Sequence, residues 1–143
     1  MADVVLFLLA LVLYAISTLA YVAWWIGGSR RCERLARPSL MAAVSLHGLG
    51  IALRWIEAGH APLSNGFEAF SVYAWGLSLA YLLVRPLRQH AALGAFVTPL
   101  ALLSIVVASV LPKRIEPLVP VLQSHWLLIH VSVSLAAYAM FTL

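Results

Sequence analysis

Gln123-Ser124-His125-Trp126-Leu127-Leu128-Ile129-His130-Val131-Ser132-Val133-Ser134-Leu135-Ala136-Ala137-Tyr138-Ala139-Met140-Phe141-Thr142-Leu143 is an apolar run with two histidines near its start and no Asp, Glu, Lys or Arg. About 20 such residues cross the hydrocarbon core of a bilayer as a helix. A helix is the simplest structure that satisfies its own backbone there. His130 falls about two turns into it. An imidazole at that depth avoids a desolvation penalty only if something takes its lone pair or its proton. Neutral imidazole is the commonest protein metal ligand, so His130 is a candidate ligand. The other reading is a hydrogen bond to a serine or a carbonyl of a neighbouring helix. Trp126, His130 and Ser134 are four apart and share a helix face. His125 lies about 140° round the helix from His130, so the two cannot hold one metal ion from the same helix.

The rest of the chain has the same character. It has 143 residues, of which 64% are hydrophobic and 10% charged, and its mean hydropathy is +0.99. Soluble domains run at roughly 45–50% apolar and 25% charged, so this is an integral membrane protein. The formal net charge is +4, yet the basic residues do not form a nucleic-acid footprint. Arg30, Arg31, Arg34 and Arg37 make one cluster, and Arg85 and Arg88 a second. Short basic loops of this kind set membrane topology. The one cysteine, Cys32, cannot form an internal disulfide, and no Cys-x-x-Cys is present. The N-terminus lacks the positive region of a cleavable signal peptide, so the first apolar run reads as a span.

The fold expected is an all-α polytopic transmembrane bundle in one domain. Its spans fall at about residues 4–26, 40–56, 67–84, 91–111 and 122–143. The first reaches ~34 Å, enough to cross with some tilt. Gly27 and Gly28 stop it, and residues 29–38 read as a polar loop with four arginines. Gly48 and Gly50 allow close helix approach in the second span. Residues 58–66 form a loop by their Gly, Pro and Asn content. Pro99 sits inside the fourth span as an expected kink. The two basic stretches lie on one side, because two spans separate them. That side is cytoplasmic by the positive-inside rule. The N-terminus, the 59–65 loop, the 113–120 loop and the start of the fifth span then face outward.

Other candidates for chemistry are few. His47 sits near mid-span, as a ligand or as an imidazole bonded between helices. His60 is a loop histidine, His90 an interfacial one in the second basic loop, and His125 a loop or helix-start residue at the water boundary. Arg54 can pair with Glu57 three residues on. Alternatively its guanidinium clamps an outside carboxylate bidentately. No Gly-rich phosphate loop, Ser/His/Asp set or zinc spacing occurs, and no catalytic residue is assigned.

Three stretches carry a resemblance. Residues Trp55-Ile-Glu-Ala-Gly-His-Ala-Pro-Leu-Ser-Asn-Gly-Phe-Glu68 contain a Gly-His-x-Pro-Leu-Ser-Asn-x-x-Glu pattern. Leu93-Gly-Ala-Phe-Val-Thr-Pro-Leu-Ala-Leu102 and Leu118 to Tyr138, with its Ile-His-Val-Ser core, follow in order. Together they resemble the cytochrome c assembly proteins of the CcsA/ResC type. That resemblance implies a membrane component of c-type cytochrome biogenesis in a bacterial inner (plasma) membrane. It implies haem b as the substrate, carried to the outer face and attached to apocytochrome c with a ResB/CcsB-type partner. His130 takes the position of an external axial ligand to haem iron, with Trp126 on the same helix face; a haem propionate would be one outside carboxylate for Arg54, the other reading being its intraprotein ion pair. Family members continue through a tryptophan-rich loop and a second external histidine, which are not in these 143 residues. The resemblance therefore covers an amino-terminal portion, and lyase activity of this portion alone is not expected. The competing readings are a HemX-like haem-handling protein without ligation activity, and a small structural subunit of a membrane complex.

Overall fold

The computed structural model describes residues 2–84, 91–115 and 124–143. Five helices account for almost all of them: α1 (Ala2–Gly27), α2 (Arg30–Ala58), α3 (Gly66–Val84), α4 (Ala91–Val110) and α5 (His125–Thr142). The first four are long and apolar enough to cross a membrane, and Trp126–Thr142 is a shorter apolar helix. The protein is an all-helical, multi-pass membrane bundle. The second basic stretch, with Arg85, Arg88 and His90, lies outside the described residues, as does residue 122, where the fifth span was expected to begin.

The arrangement follows from which residues each helix turns inward. α1 packs on α2 and α4, and α3 packs on α2 and α4, so the four close a ring. Each contributes a stripe at three- and four-residue spacing: Phe7, Ala10, Tyr14 and Tyr21; Leu40, Ala43, Val44 and His47; Phe67, Ala74, Leu77 and Tyr81; Val97, Ala101, Ile105 and Ala108. The opposite faces expose Val5, Leu8, Leu9, Val12, Leu19, Leu83, Phe96 and Leu103. Ser17, Thr18, His47, Arg54, Glu68, Ser71, Ser78 and Thr98 are buried instead. A soluble monomer does not present so much contiguous apolar surface. Apolar outside and polar within is what lipid as a solvent demands.

Close approach is built from glycine where a side chain would clash. A Cβ on Gly94 would fall 2.6 Å from the Tyr21 ring and from Tyr81 Oη. At Gly48 it would fall 2.8 Å from Trp75 Nε1, which donates to Val44 O at 3.0 Å. α5 stands apart from the ring. Its principal neighbour is α3, through buried Ala139 and a 2.9 Å bond between Tyr73 Oη and Thr142 Oγ1.

One expectation fails at the α1–α2 connection. Gly28 takes a positive φ of 65° and ends α1 as anticipated, but no ten-residue loop follows. α2 begins at Arg30 and continues through Pro38. Arginine is a good helix former, Glu33 lies in the first turn, and Ser17 Oγ of α1 donates to Ala36 O at 2.9 Å. Tertiary contact thus holds a helix where charge and proline suggested a loop.

Candidate functional site

At the end of the ring opposite Arg30, three chain segments converge on Arg54. The guanidinium is 4% exposed. Its Nε–H donates to Glu68 Oε1 at 2.8 Å, and Nη1 donates to Asp3 Oδ2 at 3.1 Å and to Lys113 O at 3.0 Å. Nη2 donates to Arg114 O at 3.1 Å. Four of the five guanidinium hydrogens therefore have protein acceptors. The ring of Phe67 covers the guanidinium carbon at 4.9 Å. The ion pairs run to Asp3 and Glu68 and not, as the i, i+3 spacing suggested, to Glu57. The tertiary pairing prevails because it satisfies two carboxylates that the fold buries. A propionate on Arg54 would find one Nη2 hydrogen left and would compete with these partners for the others.

Glu68 does two jobs at once. Its Oε1 meets Arg54, while Oε2 accepts from Ser64 N at 2.8 Å and Ser64 Oγ at 2.7 Å. Asn65 Oδ1 accepts from Glu68 N at 2.9 Å, which caps α3. The Pro-Leu-Ser-Asn loop is thus fixed to the helix it precedes and, through Arg54, to α2, to the start of α1 and to the segment after α4. The Asn65-x-x-Glu68 spacing is a readable capping signal. The role of Asp3, fifty-one positions away from Arg54 along the chain, is not readable.

His47 lies deeper in the ring and is 1% exposed. Nε2 is 2.7 Å from Ser71 Oγ and Nδ1 is 3.5 Å from Tyr14 Oη. The rings of Phe7 and Tyr14 stand edge-on to it, each at 5.8 Å. A void of about 10 Å³ between His47, Arg54, Asp3 and Ser71 has room for one water at most. The packing around this imidazole is that of the bonded reading of His47. His60 is half-buried with Nδ1–H donating to Ala61 O at 3.1 Å, more enclosed than a solvated loop histidine.

His130 presents the opposite picture. α5 lays Leu128, Ser132, Leu135, Ala136 and Ala139 towards α3. His130 projects from the far side and is exposed. Trp126, one turn earlier on the same face, is 81% exposed. Among the described residues no hydrogen bond engages the His130 ring. α5 begins at His125. Two apolar grooves of about 560 and 590 Å³ flank the α3–α5 seam, walled by Trp75, Leu63 and Val72, and His130 lines neither. Among the described residues no group of three or more His, Cys, Asp or Glu gathers into a metal site. Any iron held here would draw one ligand from α5.

Residues 63–143 match the sequence profile of the cytochrome c assembly protein family. The chain belongs to that family. Its relatives include the cytochrome c biogenesis protein CcsA of Prochlorococcus marinus, 36% identical over 121 residues, covering 82% of this chain and 38% of the relative. CcsA of Synechococcus elongatus is 37% identical over 141 residues, covering 88% of this chain and 41% of the relative. A second P. marinus strain gives 44% identity over 93 residues, covering 62% of this chain and 30% of the relative. The chain therefore spans well under half the length of the relatives it matches. No solved structure matches it. The family match starts at Leu63, so the Ser64–Glu68 cap, α4 and His130 all lie inside it, whereas Asp3, His47 and Arg54 lie before it.

Proposed function

We propose that this chain is the amino-terminal part of a membrane component of c-type cytochrome biogenesis, which holds haem b at the outer membrane face for attachment to apocytochrome c. The observation that carries the reading is His130: an exposed imidazole on the face of α5 turned away from α3, with its ring nitrogens uncommitted among the described residues. Exposed Trp126, Val133 and Phe141 flank it with apolar surface. That donor chemistry suits one axial position on a porphyrin iron. Haem as cargo would bring the iron for the imidazole and the vinyl groups that cysteine thiols attack.

The chain's own residues supply position rather than acid–base catalysis. His130 fixes one axis. The Arg54–Glu68–Asp3 cluster holds the outer ends of α1, α2 and α3 and the segment leaving α4 in register, so α5 descends from a fixed rim. With Arg30 to Arg37 cytoplasmic, that rim faces outward, as a site for an extracytoplasmic apoprotein requires. The setting is a bacterial plasma membrane. The remaining partners are a ResB/CcsB-type membrane protein and the rest of the family's length, which would bring the second ligand.

The test uses the full-length protein purified in detergent, with its visible spectrum recorded. His130→Gly is expected to lower the haem-to-protein ratio at least tenfold, with added imidazole restoring the Soret band. Full haem occupancy in His130→Gly would overturn the reading. Haem binding without loss of cytochrome c maturation in a His130→Gly strain would favour a haem-handling protein that performs no attachment.

A further inference from the structure

α2 is longer than the membrane it crosses. Its 29 residues rise ~43 Å, against a hydrocarbon core of ~30 Å. Its far end is tied into the Arg54 cluster, so the surplus of roughly 13 Å, about nine residues, falls at the Arg30 end. Arg30, Arg34 and Arg37 stand at i, i+4 and i+7, within about 60° of one another round the helix, and Arg31 widens the arc to about 120°. All four side chains are exposed. Among the described residues none is ion-paired, and neighbouring Glu33 takes none of them. A guanidinium left unpaired in this way retains its full set of donors for a phosphate.

The surroundings decide which phosphate. Trp25 and Ile26 at the end of α1, and Leu35 on α2, expose large apolar side chains beside the arginines. Trp25 leans on Phe96 of α4 with ring centroids 5.3 Å apart. Tryptophan at a helix end settles at the headgroup level of a bilayer. That depth puts the arginine stripe at the lipid phosphates, with acyl chains against Ile26 and Leu35. A free phosphate would leave those apolar side chains bare.

We infer that the Arg30–Arg37 stripe is a binding site for the headgroups of anionic phospholipids, at the end of the bundle opposite the Arg54 cluster. The inference is independent of haem. It assigns the stripe a ligand as well as a topological role, and it depends on the helical register of residues 30–37, where a loop would leave the guanidiniums unaligned.

The test titrates phosphatidylglycerol into the full-length protein in detergent and counts bound lipid by native mass spectrometry, with phosphatidylcholine as the neutral control. Arg34→Gln/Arg37→Gln keeps Arg30, Arg31, Arg85 and Arg88 to hold the orientation. It is expected to bind phosphatidylglycerol roughly 25-fold more weakly, with phosphatidylcholine binding unchanged, from the usual contribution of two surface arginines. Arg34→Lys/Arg37→Lys should retain most of the binding. For the unsubstituted protein, raising the salt should strip phosphatidylglycerol selectively, a readout that survives if the glutamine variant fails to fold. Equal binding of the two lipids, salt-insensitive binding, or displacement by inorganic phosphate alone would overturn the inference.

Discussion

Within the α1–α4 ring, polar side chains are turned inward and mostly matched: Arg54 with two carboxylates and two carbonyls, His47 with two hydroxyls, the Glu68 carboxylate with three donors. α5 touches the bundle chiefly through α3 and turns its histidine the other way. The two histidines are therefore opposites. The ring of His47 is engaged by its neighbours, and the ring of His130 is exposed with no hydrogen bond among the described residues. Polar groups at membrane depth are satisfied either by their own fold or by a ligand; His47 is an instance of the first, and the proposal makes His130 an instance of the second.

Substitutions can break or sharpen that contrast. The largest effect is expected at Arg54→Met, which takes the guanidinium away from the buried Asp3 and Glu68 carboxylates. Removing one partner of a buried ion pair costs about 3–5 kcal/mol, and a thermal melt in detergent should fall steeply. His47→Ala opens a cavity and leaves Ser71 Oγ without its 2.7 Å partner, at about 2–4 kcal/mol. If that variant melted normally, the ring would not depend on its polar core as described. Tyr21→Phe has the opposite sign. Among the described residues Tyr21 Oη is buried without a hydrogen-bond partner, so removing it should raise stability by about 1 kcal/mol. The smallest change belongs to His130→Ala, which touches an exposed ring and should shift the melt by less than about 0.5 kcal/mol.

The sequence makes the ring legible and leaves its wiring obscure. Long apolar runs, the Gly27–Gly28 stop and the Asn65-x-x-Glu68 cap announce α1, α3 and their ends, because each is a local signal. Arg54 could be seen as an intramembrane cation needing an anion, but local spacing offered Glu57. The true partners come from residues 3 and 68, brought near only by the packing of three helices. The helix through Pro38 was hidden for the same reason: Ser17 on a different helix holds Ala36 in place. His130 was legible as a residue out of keeping with its surroundings. Which way it faced depended on where α5 docks, and no periodicity within α5 fixes that.

The most direct test measures two quantities on the same full-length samples, thermal midpoint and bound haem per protein, for Arg54→Met and His130→Ala. His130→Ala should melt as the unsubstituted protein does while losing at least nine-tenths of its haem. Arg54→Met should lose tens of per cent of its folded yield before any question of haem arises. A His130→Ala protein that keeps its haem, or that loses it only in proportion to lost fold, would contradict the assignment of an outward-held ligand on α5.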